Sequence, residues 1–188
     1  MNKNILIIFI VIIIVLPSSL CINAENLETS KMQTLSESGI KERIFERINE
    51  IRERNGLSPL EWNETLEKAA QMHAEDMAKR NYFSHESPEG ETFKDRLAKV
   101  GYKPKSISDG KSETIVIGGE NLFLYGGEGS VEEIVNEAVN GWMNSKGHRD
   151  NILRKEFTLT GIGVAFAHNC TYEGQSFEFC IYIVQMFG

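Results

Sequence analysis

At 188 residues the chain is long enough for one domain with a leader and too short for two full domains. It carries 27 acidic against 20 basic residues, net charge −7, and no basic stripe. That balance excludes holding a nucleic-acid backbone by bulk charge and reads as a soluble acidic surface.

In chain order, residues 1–24 stand apart. Lys3 is followed by twelve apolar residues over 5–16, then by Pro17, Ser18 and Ser19. A short positive start, an apolar centre and a small-residue exit describe a secretory signal peptide, cleaved after Ala24 or after Cys21. The apolar run falls short of the ~20 residues a spanning helix needs, so an uncleaved anchor is the alternative. Lipidation of Cys21 is disfavoured by the bulky Leu20 before it. Removing 1–24 takes away one lysine and leaves net charge −8. Residues 25–38 are polar and aperiodic and read as a linker, so the expected domain is 39–188.

From Gly39, Ile40, Ile44, Ile48 and Ile51 recur at helical spacing up to Arg54, and Asn55 and Gly56 end that helix. Asn63 caps a second helix, whose inner stripe is Leu66, Ala69, Ala70, His73, Met77 and Ala78. His73 on that stripe reads as a hydrogen-bonded core histidine. Residues 81–90 leave the helix and carry His85 in a loop. Residues 93–100 suggest a short helix stopped by Gly101, and 103–114 a polar loop. A strand is expected over 114–117, continuing over 120–124. Ser130 and Glu133 form a capping box ahead of an apolar helical side ending at Trp142. Lys146 and Gly147 interrupt that helix, and Ile152 and Leu153 give a second short turn something to bury. His148 follows the break, at a surface. Two strands, 161–167 and 177–187, close the chain around a turn near 173–176. They place Cys170 and Cys180 symmetrically about Gln175, across the strands from one another, where an oxidising compartment allows a disulfide. Helices followed by antiparallel strands predict an α+β sandwich.

The polar residues in unusual places are His85, Glu120, Ser145 and His148. Two imidazoles with a carboxylate suit Zn²⁺ or a similar divalent metal, water completing the shell. The same three suit a proton-transfer pair with an orienting carboxylate. Residue types alone favour a plainer alternative, two surface histidines and a glutamate capping a loop. No HExxH, paired CxxC or GxSxG pattern is present.

Four ordered segments resemble the CAP superfamily (cysteine-rich secretory, antigen 5, pathogenesis-related-1), in its short secreted prokaryotic branch. They are INEIRERNGLSPLEWNETLEKAAQMHAEDMAKRNYFSHESPEGETFKDRLAKVGY, GGENLFL, VNGWMNSKGHRDNIL and FTLTGIGVAF. The resemblance covers nearly everything from Ile40 onward and implies an α-β-α sandwich with a central antiparallel sheet. It also implies a cleft with two histidines and two acids. His85 in FSHESPEG, Glu120 in GENL and His148 in GHRDNIL match three of the four. The second acid falls three residues after the tryptophan, and here that position is Ser145, which supplies no charge. Glu86, Glu89 and Glu137 are the nearby acids that are candidates to compensate. The resemblance further implies a divalent metal, often zinc, on His85 and His148, with Glu120 as direct or outer partner. Three functions follow as expectations. The first is a secreted module binding an extracellular ligand such as a lipid or a cell-surface component. The second is a metal-assisted hydrolase in which Glu120 takes the proton from water. The third is a non-catalytic structural domain. The absence of an evident nucleophile or oxyanion loop favours binding over catalysis.

Overall fold

A computed structural model describes residues 35–188 apart from 109, 111 and 112. The expected leader and residues 25–34 of the expected linker lie outside the described residues. Helix α1 (Glu37–Arg54) starts where Ser36 Oγ accepts the Gly39 amide at 3.1 Å. It buries Ile40, Ile44 and Ile48, and the four-residue ladder then lands on Arg52; Ile51 is only half-buried. After Asn55, Gly56 takes φ +72°, which a glycine adopts without cost. Strand β1 (Glu61–Trp62) leads to α2 (Glu64–Arg80), capped by Asn63 as its sequence suggests. Helix α3 (Phe93–Lys99) carries a capping box of Thr92 and Asp95.

Residues 103–114, expected as a loop, instead contribute to an antiparallel hairpin of β2 (Lys105–Ser108) and β3 (Glu113–Val116). Ile107 is the only large apolar residue in β2, too little for a period-two signal. Strand β4 (Gly119–Gly126) follows, then α4 (Val131–Asn144) with its Ser130–Glu133 box, α5 (Lys146–Ile152), β5 (Leu159–Tyr172) and β6 (Gln175–Phe187).

The main sheet runs β1-β5-β6-β4. It is mixed rather than purely antiparallel, because the two-residue β1 pairs parallel to β5. Along β6 the side chains alternate between two cores. Ile181, Ile183 and Phe187 join Ile40, Ile44, Ile48, Ile134 and Trp142 from α1 and α4. Tyr182, Val184 and Met186 join Leu66, Ala70, Met77 and Leu97 from α2 and α3. The architecture is therefore an α+β, three-layer α-β-α sandwich, with each sheet face buried under its own helices. Helix α2 lies against small residues of β5: a Cβ on Gly163 would collide with the backbone of Ala70 and Gln71, and one on Gly161 with that of Leu66 and Glu67.

The closing hairpin turns at Glu173 and Gly174, with φ of 49° and 78°, the two-residue geometry that suits the twist of paired strands. Its centre lies ahead of Gln175, so Cys170 pairs with Phe177 and Cys180 with Ala167, not with each other. In an unbroken ladder three residues of rise, ~10 Å, would keep them apart. The pairing is interrupted at Asn169, φ 55°, and the Cα atoms come within 6.2 Å, joined by a Cys170–Cys180 disulfide.

Candidate functional site

The loop between α2 and α3 is held at several points. Asn81, in a left-handed conformation at the end of α2, accepts the Thr171 amide at 3.0 Å and donates to its hydroxyl at 2.8 Å. The buried His73 donates from Nε2 to the Ser84 carbonyl at 3.0 Å. This is the core role its place on the stripe predicts, and burial pushes its pKa below the ordinary 6.5. Ser87 Oγ accepts the Glu91 amide at 3.2 Å. The loop thereby presents His85, whose side chain is 55% exposed.

Glu120 sits on β4, the edge strand, and its side chain is 1% exposed. Oε2 accepts from Arg96 Nη2 at 2.9 Å, and Oε1 lies 2.8 Å from His85 Nδ1. A carboxylate already paired to a guanidinium is an acceptor, so the proton of this second bond lies on Nδ1. In that tautomer the lone pair of the His85 ring lies on Nε2.

His148 lies on α5, across the sheet edge. Its ring centroid is 6.3 Å from that of His85, the planes inclined by 42°. Three side chains tie α4 and α5 to the open edge of β4. Asn121 Nδ2 donates to the His148 carbonyl at 3.2 Å, and Asn151 Nδ2 to the Glu120 carbonyl at 3.2 Å. Trp142 Nε1 donates to the Leu122 carbonyl at 2.8 Å. Burial, then the neighbouring His85, lowers the His148 pKa below 6.5, so near neutral pH it is an uncharged donor of a lone pair. Ser145 sits at the junction of α4 and α5, half-buried, with no side-chain cap on α5. Of the acids weighed as substitutes, Glu89 pairs with Arg80, Glu137 is exposed on α4, and only Glu86 borders the histidines.

Two adjoining cavities share His85 and Glu86. One, of 480 Å³, is bordered by Thr92, Phe93, Lys94, Glu120 and Asn151. The other, of 400 Å³, is bordered by Phe83, Leu122, His148 and Tyr172, with the Phe83 and Tyr172 rings edge to face at 5.3 Å. Ser145 borders neither. Among the described residues no group of three or more His, Cys, Asp or Glu side chains is arranged to hold a metal. The two imidazoles are donors of the kind that hold a divalent cation. With metal–nitrogen bonds of about 2.0–2.1 Å, two rings sharing an ion have centroids roughly 5–6 Å apart, so the 6.3 Å here must close slightly for both to reach one ion. Glu120 lies against Nδ1 of His85, the position that a carboxylate partner of a metal-bound histidine takes.

The sequence reading missed Arg96, Asn121 and Asn151. Arg96 had a signal: Phe93, Arg96, Leu97 and Val100 share one helical face, and a charge on an apolar stripe demands a buried partner. The two asparagines lay inside quoted motifs, but nothing local distinguishes a side chain that seals a strand edge from one in solvent.

The sequence profile of the cysteine-rich secretory protein family, CAP, matches residues 45–187. Two Bacillus subtilis proteins are similar: YkwD, 35% identical over 140 residues, and the membrane protein YlbC, 35% identical over 136. The matches cover 74% and 71% of this chain but 48% and 33% of those proteins, so the chain spans about half or less of the curated relatives it matches. Among solved structures, an extracellular protein containing an SCP domain from Bacillus anthracis aligns with TM-score 0.59 and 30% identity. That alignment covers 80% of this chain and 40% of the other. Among the described residues no helix is long and apolar enough to cross a membrane.

Proposed function

The chain belongs to the cysteine-rich secretory protein (CAP) family, and from that premise we propose that it is a secreted binding module. Its cleft takes a divalent metal on His85 and His148 together with an extracellular ligand. One observation carries the reading: the His85 and His148 rings lie with centroids 6.3 Å apart beside two cavities, and Glu120 Oε1 stands 2.8 Å from Nδ1 of His85. Zn²⁺ or a similar ion bound there would offer a positive centre to a ligand oxygen or nitrogen.

The two cavities flanking His85 support an extended ligand. Phe83, Leu122 and Tyr172 offer apolar contact on the His148 side, suited to a lipid or the apolar part of a cell-surface component. Thr92, Lys94 and Asn151 offer hydrogen bonds on the other. Binding is favoured over hydrolysis because both oxygens of Glu120 are engaged and its side chain is closed to solvent. It is placed to orient His85, not to take a proton from water. The similarity to an extracellular SCP-domain protein and the disulfide both support export.

The test is zinc titration calorimetry on wild type, His85→Ala and His148→Ala. One ion per chain, lost in both variants, is the expected outcome. Zinc binding that survives both substitutions would place the metal elsewhere and remove the basis of the reading.

A further inference from the structure

We infer that Arg96 is the positioning residue of the cleft, selecting the nitrogen that His85 presents. This deepens the reading of the cleft given above. Arg96 is 3% exposed on α3, between the loop and β4. Its Nη1 donates to the Glu91 carbonyl at 2.9 Å. Its Nη2 donates both to the His85 carbonyl at 2.8 Å and to Glu120 Oε2 at 2.9 Å, while Oε1 of the same carboxylate meets His85 Nδ1. The contacts close a circuit: backbone of His85, guanidinium, carboxylate, ring of His85. One planar group thus fixes where the residue's backbone lies and where its ring points.

The circuit also sets the proton. Paired to Arg96, Glu120 stays an acceptor, and an acceptor at Oε1 requires the proton on Nδ1. Without the guanidinium, nothing fixes Oε2 of Glu120 or the His85 carbonyl, so neither the ring's position nor one of its nitrogens is selected. Lysine does not substitute, because one ammonium cannot span three acceptors that the guanidinium fork meets in its plane.

The experiment uses the full chain with ¹⁵N-labelled histidine and reads the His85 tautomer by two-bond nitrogen–proton correlation, alongside zinc affinity. Wild type is expected to show the Nδ1–H form. Removing Arg96 alone strands a buried charge, so the decisive variant is Arg96→Met with Glu120→Gln, which removes both charges at similar shape. It is expected to fold, to populate both tautomers, and to bind zinc about 10–100-fold more weakly. Arg96→Lys retains the charge and is expected to lose at least ~10-fold in zinc affinity and to expose the amides of residues 84–92 to exchange. An Nε2–H form in wild type overturns the inference, as does a double variant with one tautomer and unchanged affinity. Should wild type bind no zinc, the metal reading fails by itself, and the tautomer still decides the role of Arg96.

Discussion

Arg52→Met is the perturbation whose cost the structure specifies most directly. The Arg52 side chain is buried with no acidic partner among the described residues, and desolvation lowers its pKa. It donates to four carbonyls: Ser58 at 2.9 Å, Ile152 at 2.7 Å, Arg154 at 3.1 Å and Phe157 at 3.0 Å. Bonds from a charged donor contribute ~1.5 kcal/mol each at the low end, about 6 kcal/mol for four. Burying an uncompensated guanidinium offsets several kcal/mol of that, and methionine recovers part of the packing. The net loss is about 3 kcal/mol, a large share of a typical domain's stability. For a domain of this length it lowers Tm by roughly 6–12 °C. Urea and thermal unfolding of both proteins measure it. Because Ile152 and Arg154 follow His148 in the same segment, zinc affinity is expected to fall as well. A variant within ~1 kcal/mol of wild type would refute the reasoning, since it would mean the four carbonyls find water once the guanidinium is gone.

Three further outcomes are expected. Gly163→Val should cost more than about 3 kcal/mol or abolish folding, because the collision is with the backbone of α2 and no rotamer relieves it; a soluble variant with the wild-type urea midpoint refutes that. Reducing the Cys170–Cys180 disulfide, which closes a sequence separation of 10, should remove about 2–3 kcal/mol. Coincident melts with and without reductant would show that the hairpin does not rely on it. His73 and His148 both titrate below 6.5 in the folded state, burial being the first cause in each. The unfolded chain then binds more protons below that pH, so stability present above about 6.5 declines as pH falls below it. His73→Gln should flatten that decline, whereas Glu89, held at about 2 by Arg80, does not titrate in the window. An unchanged slope in the variant counts against His73 as a contributor.

The elements legible in the sequence were those whose period repeats over several turns. Ile40, Ile44 and Ile48 announce α1, and Ser130 with Glu133 marks the start of α4 to the residue. Illegible were features whose partners lie far along the chain. Arg52 continues the isoleucine ladder but looks like any solvent-facing charge until Ile152, one hundred residues away, supplies a carbonyl. A two-residue strand such as β1 has no period, and the offset of the cysteines depends on Asn169, whose left-handed backbone no neighbouring residue betrays. Of the cleft, His85, Glu120 and His148 were legible as motif residues. Their mutual placement was not, because it depends on Asn121, Asn151 and Trp142 clasping the edge of β4 and on Arg96 beneath the loop.

His85 hangs from the helical layer over one face of the sheet, and His148 rides with the layer over the other. The gap between their rings is thus a seam between two halves that are joined elsewhere by the sheet, by its edge clasps and by the Lys41–Glu67 ion pair between α1 and α2. Anything bridging both rings acts as a stitch, and its binding energy opposes the sliding of one layer against the other. A cleft so placed reports on the integrity of the whole sandwich: loosening either layer, however far from the imidazoles, weakens the grip on whatever sits between them.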